Sequence, residues 1–438
     1  MTGDVFEQLV FDEDGDPRAG QAAALRRAAA ERGRTDLFLF CHGWNNGQAT
    51  AVGYCTRWFA ELAAQLDPAA KAGFAGVFWP SQLWRDEPIP DFPAAPDGAA
   101  ALTPTAAVPA GSPELDPGVL AELRTVFPGR AAELDAVAAL LAAEPSTAVA
   151  RELFDRLRAL HDPAGLPVIG DGESADPAAL GMFAPDTDPV ELFERFADEL
   201  ETTGVELQTG SGGAAGFGGF GKLLHGAKEA LRQLSYWRMK NRAGVVGRAG
   251  LGPAITELAA DGLRIHLIGH SFGGRVVSFA LDGLGAGTTV ASVTLLQAAF
   301  SRFTFTDPLP FRPGAGALAG RLDRIDGPLT VCFSEHDSAL GVMYPLASLV
   351  AGADAADADD PLFRYRALGS HGAYQPHEQG ELGASGTEYP FAAGRILNLD
   401  ASGFVTQGGP PGGAHSDIFK PELGWVVAAA SGLARDPG

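Results

Sequence analysis

The stretch of sequence that decides the fold surrounds Ser271 and reads Gly269-His270-Ser271-Phe272-Gly273-Gly274. The run before it, 263–268, is dense in branched apolar residues and predicts a buried strand. The segment after it, 275–283, has apolar residues at helical spacing and a glycine at its end, which predicts a helix. A serine on a sharp turn between a strand and a helix is the context in which the pattern G-x-S-x-G indicates a nucleophile.

The predicted turn at Ser271 restricts which residues can stand on either side of it. Glycines are needed at 269 and 273, because a Cβ there would collide with the adjoining strand or helix. The helix that begins after the serine would direct N–H groups and partial positive charge towards it. An oxyanion that forms beside the serine would be stabilised by those groups.

Composition limits the class of protein. The chain has 438 residues, 46% of them hydrophobic, which is enough for a large core, and its net charge of -22 argues against a nucleic-acid partner. Three scattered cysteines predict neither a disulfide framework nor a zinc site. Residues 1–7 lack the pattern of a signal peptide, and no run approaches the ~18 apolar residues of a membrane span. We therefore expect a soluble, cytoplasmic protein without a metal ion or a cofactor.

Predicted strands and helices alternate in two parts of the chain, 1–80 and 222–438. Strands are predicted at 4–11, 36–41, 74–79, 263–268, 290–296, 329–333 and 395–399. Helices are predicted at 21–33, 49–66, 222–239, 275–283 and 424–433, with a further helix that follows 222–239 and ends at 261. The apolar run at 36–41 is typical of a central parallel strand. This alternation predicts an α/β fold with a mostly parallel sheet flanked by helices.

Residues 81–221 interrupt the alternation and predict a large helical insertion. Helices are predicted at 117–127, 131–143, 147–160 and 189–203. The flank at 81–116 is rich in Pro, Ala and Asp and predicts a linker. The glycine-rich flank at 210–221 is better interpreted as a flexible hinge than as a phosphate-binding loop, because no apolar strand leads into it.

A serine nucleophile needs a base and a group that orients the base, and the sequence offers candidates at the ends of predicted strands. The candidate acid is Asp337, four residues beyond the strand at 329–333. Glu335 and Asp307 are the competing carboxylates, although Asp307 lies well beyond the end of its strand.

The candidate base is His415, in the loop after the last predicted strand. His371 and His377 also lie late in the chain but precede that strand. His266 lies within a strand and is interpreted as a core histidine, and His270 as a residue that packs beneath the turn.

The chain order Ser271, Asp337, His415 is the order that the α/β-hydrolase fold requires. The chain resembles the α/β-hydrolase superfamily, and most closely its esterase/lipase-like branch. That branch carries His-Gly-Trp after its third strand, present here at 42–44, and Gly-His-Ser-x-Gly at the nucleophile. The resemblance covers roughly residues 36–80 and 222–438. It implies an oxyanion hole formed by the backbone N–H groups of Trp44 and Phe272, with His42 shaping that loop by hydrogen bonding.

The resemblance further implies a catalytic domain of 1–80 and 222–438, with 81–221 as a cap or lid. The expected activity is hydrolysis of a carboxylic ester, with a lipid-like acyl chain as one option, through an acyl-enzyme on Ser271. Thioester or peptide hydrolysis uses the same triad, and a catalytically silent binding protein is an alternative of another class. The apolar helices of the insertion either gate an apolar substrate or pack on each other and on the core.

The expected partner is a small-molecule acyl substrate, and the sequence does not indicate an oligomeric state. One segment departs from the acidic composition, because 222–248 contains seven basic residues and one acid, Glu229. It is interpreted as a solvated helix face that balances nearby carboxylates. The alternative is a docking strip for an anionic substrate or lipid headgroups, which would give weak contact with a membrane surface.

Overall fold

The computed structural model describes most of the chain. The described residues are 6–84, 112–161, 169–172, 180–202, 204–207, 218–344, 363–374 and 377–436. Most of both predicted flanks of the insertion, at 85–111 and 208–217, lies outside them.

Eight parallel strands form one sheet. They are β1 (Glu7–Val10), β2 (Asp36–Cys41), β3 (Ala72–Phe78), β4 (Arg264–His270), β5 (Ser292–Leu296), β6 (Leu329–Phe333), β7 (Glu378–Glu381) and β8 (Ile396–Asp400). Their order across the sheet is β1-β3-β2-β4-β5-β6-β8-β7, and every neighbouring pair is parallel. The predicted α/β class is confirmed.

Helices flank the sheet and form the insertion. The longer ones are α1 (Gln21–Glu31), α2 (Gln48–Ala63), α3 (Pro117–Val126), α4 (Ala131–Leu141), α5 (Thr147–Leu160), α6 (Pro189–Thr202), α7 (Gly218–Val245), α8 (Gly252–Ala259), α9 (Phe272–Gly283) and α10 (Pro421–Ser431). A helix of four residues (Leu368–His371) lies between β6 and β7. Among the described residues, no helix combines the length and the apolar character needed to cross a bilayer.

Two buried apolar clusters lie on the two faces of the sheet. All six residues of β2 are buried; Leu37 and Leu39 belong to one cluster, and Phe38 and Phe40 to the other. Because a strand buried on both faces needs no polar side, its sequence is a continuous apolar run. All three cysteines are buried and unpaired, and burial raises the pKa of each thiol.

The helices of the insertion pack into the same core as the sheet. Leu123, Leu157 and Phe196 belong to the cluster that contains Leu39 of β2. Asp116 caps α3 by accepting hydrogen bonds from the backbone N–H groups of the next turn, as its position before a proline predicts. The described insertion helices thus bury their apolar faces.

Two predictions of secondary structure were wrong. The segment 222–261 does not form two separate helices, because α7 continues through a π-helical turn (Val246–Leu251) into α8. Its glycines permit close packing against α9: a Cβ on Gly247 would lie 2.4 Å from the carbonyl oxygen of Val276. Strand β7 was not predicted, since all four of its residues are polar or glycine and all are exposed.

Candidate active site

The turn at Ser271 connects β4 to α9 and is strained. Ser271 has φ 55° and ψ -126°, an unfavourable conformation for a residue with a side chain. A Cβ on Gly273 would lie 2.0 Å from the carbonyl oxygen of Cys41, and one on Gly269 would lie 2.5 Å from Cα of Gly274. The need for glycine on both sides of the serine therefore has a steric cause.

Three of the predicted residues meet at the carboxyl edge of the sheet. Nε2 of His415 lies 2.8 Å from Oγ of Ser271, and Nδ1 of His415 lies 2.8 Å from Oδ2 of Asp337. A neutral imidazole that donates from Nδ1 to a carboxylate accepts at Nε2, so the serine hydroxyl is the donor in the first contact. Ser271 is 6% exposed and Asp337 is fully buried.

The carboxyl of Asp337 is surrounded by groups that stabilise its charged form. Oδ1 accepts a hydrogen bond of 3.0 Å from the backbone N–H of Leu340, while Oδ2 faces His415. Burial raises the pKa of this carboxyl, and His415 and the local backbone N–H groups oppose that rise. The competing carboxylates Glu335 and Asp307 are exposed, and neither joins these contacts.

The loop that carries His415 lies between β8 and α10 and is joined to the loop that carries the acid. The N–H of Ala414 donates to the carbonyl of His336 at 2.8 Å, and the N–H of Ala339 donates to the carbonyl of Gly412 at 3.1 Å. These two bonds link the acid and base loops directly. Of the other late histidines, His371 instead contacts its neighbour Ser370.

His270 does more than pack beneath the turn. Its ring is 2% exposed and stacks on Tyr54, and Nε2 lies 2.8 Å from the carbonyl oxygen of His415. Burial, and to a lesser degree His415, lower the pKa of His270 to about 3. The ring is therefore neutral, and the nitrogen that faces a carbonyl must carry the proton.

The loop after β2 brings its main chain close to Ser271. A Cβ on Gly43 would lie 2.7 Å from Cβ of Ser271. Asn45, at φ 59°, accepts hydrogen bonds from the N–H groups of Leu83 and Trp84 at 3.1 and 2.7 Å. Sequence reasoning did not single out Asn45, although asparagine before Asn-Gly is a recognised signal for a left-handed turn residue.

His42 supports the same loop through its main chain and its ring. Its carbonyl accepts a hydrogen bond from Nε1 of Trp79 at 3.1 Å, and its Nδ1 lies 3.0 Å from the carbonyl of Gly43. Burial lowers the pKa of His42 to about 4, so its ring is neutral at pH 7. These contacts agree with a role in shaping the loop.

Two backbone N–H groups beside Ser271 are available to a ligand. Phe272 is the first residue of α9, so its N–H has no carbonyl one helical turn back. Within the described part of the chain, the N–H of Trp44 donates to no protein acceptor. The Trp44 and Phe272 rings lie 6.2 Å apart, and Tyr236 of α7 contacts both. The two N–H groups predicted for an oxyanion hole thus lie on segments that adjoin Ser271.

A buried cluster of charges lies behind helix α9. Arg275 of α9 forms an ion pair with Asp171 of the insertion, and Nζ of Lys240 lies 2.8 Å from Oδ2 of the same carboxylate. The Arg275 guanidinium also donates to the carbonyls of Lys240 and Ile169. No local pattern in the sequence indicated this cluster.

The basic residues of 222–248 do not share one surface. Of the seven, Arg248 is exposed and the other six are partly buried. Three bind backbone carbonyls: Lys228 those of Ser112 and Glu114, Arg238 that of Leu160, and Arg242 that of Pro80. The other four bind carboxylates: Lys222 those of Asp198 and Glu201, Arg232 that of Glu229, Lys240 that of Asp171, and Arg248 that of Asp282. Most of this positive charge serves contacts within the protein. Binding to a membrane surface stays a prediction.

A second Ser–His–Asp relay lies at the opposite edge of the sheet. His266 contacts Oγ of Ser292 at 2.8 Å through Nδ1, and Oδ1 of Asp36 at 3.0 Å through Nε2. All three residues are buried, and they belong to β5, β4 and β2. This relay ties three strands together, in agreement with the interpretation of His266 as a core residue.

No cluster of three or more His, Cys, Asp or Glu that could hold a metal ion occurs among the described residues. Comparisons of the chain with family models, with curated proteins and with solved structures gave no match.

Proposed function

We propose that the chain is a serine hydrolase of the α/β-hydrolase type that cleaves a carboxylic ester through an acyl-enzyme. Ser271 is the nucleophile, His415 is the general base and then the general acid, and Asp337 orients the imidazole. The observation that carries this proposal is the hydrogen-bonded sequence Ser271–His415–Asp337 on a strained serine at the start of a helix.

The contacts of Ser271 fit each step of acyl transfer. As Oγ attacks the carbonyl carbon, its proton moves to Nε2 of His415, and the imidazolium is stabilised by Asp337. The oxyanion would accept hydrogen bonds from the N–H groups of Phe272 and Trp44. His415 then protonates the leaving group, activates a water molecule and returns the proton to Ser271 when the acid is released.

The second Ser–His–Asp relay shows that these hydrogen bonds alone do not distinguish a catalytic serine from a structural one. Ser292 has the same partner types, but it lies within β5, is 2% exposed and has no helix start behind it. Ser271 has positive φ and adjoins two backbone N–H groups that can stabilise an oxyanion. Only the environment of Ser271 supports catalysis.

An ester is proposed because the resemblance to the esterase/lipase-like branch implies it, since the triad itself would serve other acyl substrates as well. Thioester and peptide hydrolysis stay alternatives, and a silent binding protein would keep the fold without turnover. Residues 81–221 are proposed as a cap on the catalytic domain. Their described apolar side chains share the core of the sheet, so any motion would be confined to part of the insertion.

The test is covalent labelling by a fluorophosphonate probe together with hydrolysis of p-nitrophenyl esters of graded acyl length. The wild-type chain should be labelled once, and Ser271→Ala should lose both labelling and turnover. Ser292→Ala is the matched control, because it removes a serine from the other relay and should retain both activities. Equal labelling of the wild-type and Ser271→Ala proteins would contradict the proposal, and a folded wild-type chain without any labelling would favour the silent binding protein.

A further inference from the structure

His270 is the residue directly before the proposed nucleophile, yet its side chain reaches the proposed base. Its Nε2–H donates to the carbonyl of His415 over 2.8 Å, and the two rings are 5.0 Å apart. The two residues are 145 positions apart in the chain. His415 is therefore held at two points from the same turn, its ring by Ser271 and its main chain by His270.

The surroundings of His270 fix the direction of this hydrogen bond. The ring is buried, lies against Tyr54 with an interplanar angle of 19°, and has its Nδ1 3.4 Å from where a Cβ on Gly43 would lie. Within the described chain, Nδ1 has no hydrogen-bond partner. The Nε2–H contact with His415 is thus the hydrogen bond that orients the ring.

The contact from His270 to His415 complements the main-chain hydrogen bonds that the loop of His415 makes elsewhere. Residues 401–420 contain no strand or α-helix, and the main-chain bonds around His415 join it to the acid loop at His336 and Ala339. Those bonds set the base relative to Asp337, whereas His270 sets it relative to Ser271. A displacement of 1 Å between catalytic groups can cost on the order of 10²-fold in rate.

We propose that His270 is a positioning residue: its Nε2–H holds the main chain of His415 so that the imidazole stays within hydrogen-bonding distance of Ser271. The proposal rests on the proposed function and adds to it a role for the residue between Gly269 and Ser271. His270 takes no proton in the reaction and touches no substrate. Its effect is expected in the chemical step and not in substrate binding.

The test compares His270→Phe, which keeps a ring against Tyr54 but has no donor, with His270→Gln, whose side-chain amide can donate from a similar place. For an ester substrate, His270→Phe should lower kcat by about 10- to 100-fold and leave KM within about twofold. His270→Gln should recover most of that loss. Labelling by the fluorophosphonate probe should slow in the same order. His270→Met, also without a donor, replaces the Phe variant if that variant does not fold.

A readout that does not depend on turnover separates this proposal from the proposed function. The Nδ1–H proton of His415 that is shared with Asp337 should give a downfield NMR signal in the wild-type chain. The signal should exchange faster with water in His270→Phe and persist in His270→Gln. Unchanged kcat and unchanged proton exchange in His270→Phe would overturn the positioning role, as would a folded Gln variant as slow as the Phe variant. A wild-type chain that neither labels nor hydrolyses esters would instead remove the proposed function.

Discussion

Arg275 and Asp171 form an ion pair in which both side chains are fully buried. Arg275 lies on the first turn of the helix that follows Ser271, and Asp171 belongs to the insertion. Burial lowers the pKa of Arg275 to about 9. The carboxylate also accepts a hydrogen bond from the N–H of Ser301 at 3.1 Å. Helix α9 is thus joined to the inserted segment by a fully buried ion pair.

Asp171→Asn should destabilise the protein by about 3–5 kcal/mol, because it removes the charge of the buried carboxylate that Arg275 and Lys240 both contact. Urea unfolding measures the loss. Asp155→Asn is the matched control within the insertion: its pair with Arg158 is exposed, so the change should stay within about 0.5 kcal/mol. Equal stabilities of the two variants would contradict the structural role of the buried pair.

The same ion pair bears on any test of the cap. Deletion of residues 85–215 would remove Asp171 together with the helices that complete the core, so altered substrate preference could follow from unfolding. A change restricted to 85–111 keeps Asp171 in place. If 85–111 restricts access to Ser271, a variant shortened within this range should hydrolyse bulky esters faster at unchanged melting temperature. An unchanged chain-length preference would count against a lid there.

Replacement of the orienting acid should slow turnover without disturbing the fold. Asp337→Asn removes the charge that stabilises the His415 imidazolium and favours the wrong tautomer, so kcat for an ester should fall by about 10³- to 10⁴-fold. Glu335→Gln alters the competing carboxylate, which is 77% exposed, and should change kcat by less than about twofold. The opposite ranking of the two variants would assign the acid to Glu335.

The loop after β2 offers a steric test of the oxyanion hole. In Gly43→Ala the new methyl group would meet Cβ of Ser271 at 2.7 Å, which should displace the N–H of Trp44 and lower kcat by about 100-fold or more. Gly47→Ala is the control in the same loop, because its methyl group meets only the movable end of Gln82 and should cost less than about threefold. Similar activity of the two variants would exclude this loop from catalysis.

Stability should fall in acid because buried histidines resist protonation. The unfolded chain takes up protons on His42 and His270 near the usual pKa of 6.5, whereas the folded chain does so only near pH 4 for His42 and pH 3 for His270. The unfolded state therefore binds more protons as the pH falls from 6.5 to 4, at about 1.4 kcal/mol per pH unit for each ring. The stabilisation from His42 is complete above pH 6.5 and is lost as the pH falls through 4.

His42→Gln removes one of the two histidines whose protonation in the unfolded chain lowers the stability in acid. Urea unfolding between pH 6 and pH 4.5 should give a shallower pH dependence for the variant, by about 1.4 kcal/mol per pH unit. The difference between the two proteins cancels the contributions of the other buried groups. Parallel curves would mean that His42 is already protonated in the folded chain.

The strands that carry the site could be predicted from sequence because each is an apolar run that ends at or shortly before a candidate residue. β2, β4 and β6 are buried along nearly their whole length, which leaves a strong hydrophobic signal. β7 lacks that signal, since it is an exposed edge strand. Two helices were predicted over 222–261, but the helical segment continues, and its glycines at 247 and 252 pack closely against α9.

Two contacts between distant residues could not be predicted from the sequence. Nothing near Asp171 or Arg275 indicates that they pair across 104 positions, and the sequence pattern placed His270 in the turn without indicating its acceptor. The alternation of apolar and polar residues reports which side of an element is buried. It does not report which polar group of another element lies opposite.

Two main-chain hydrogen bonds join the loop of Asp337 to the loop of His415, and their amide protons can report whether the two loops are in contact. The amide protons of Ala339 and Ala414 form their hydrogen bonds only while the loops that carry Asp337 and His415 are in contact. Their exchange with deuterium therefore monitors whether the histidine and the aspartate are assembled, before any substrate is known. Candidate ligands could be screened by the slowing of that exchange, which makes the search for a natural substrate independent of a chromogenic assay.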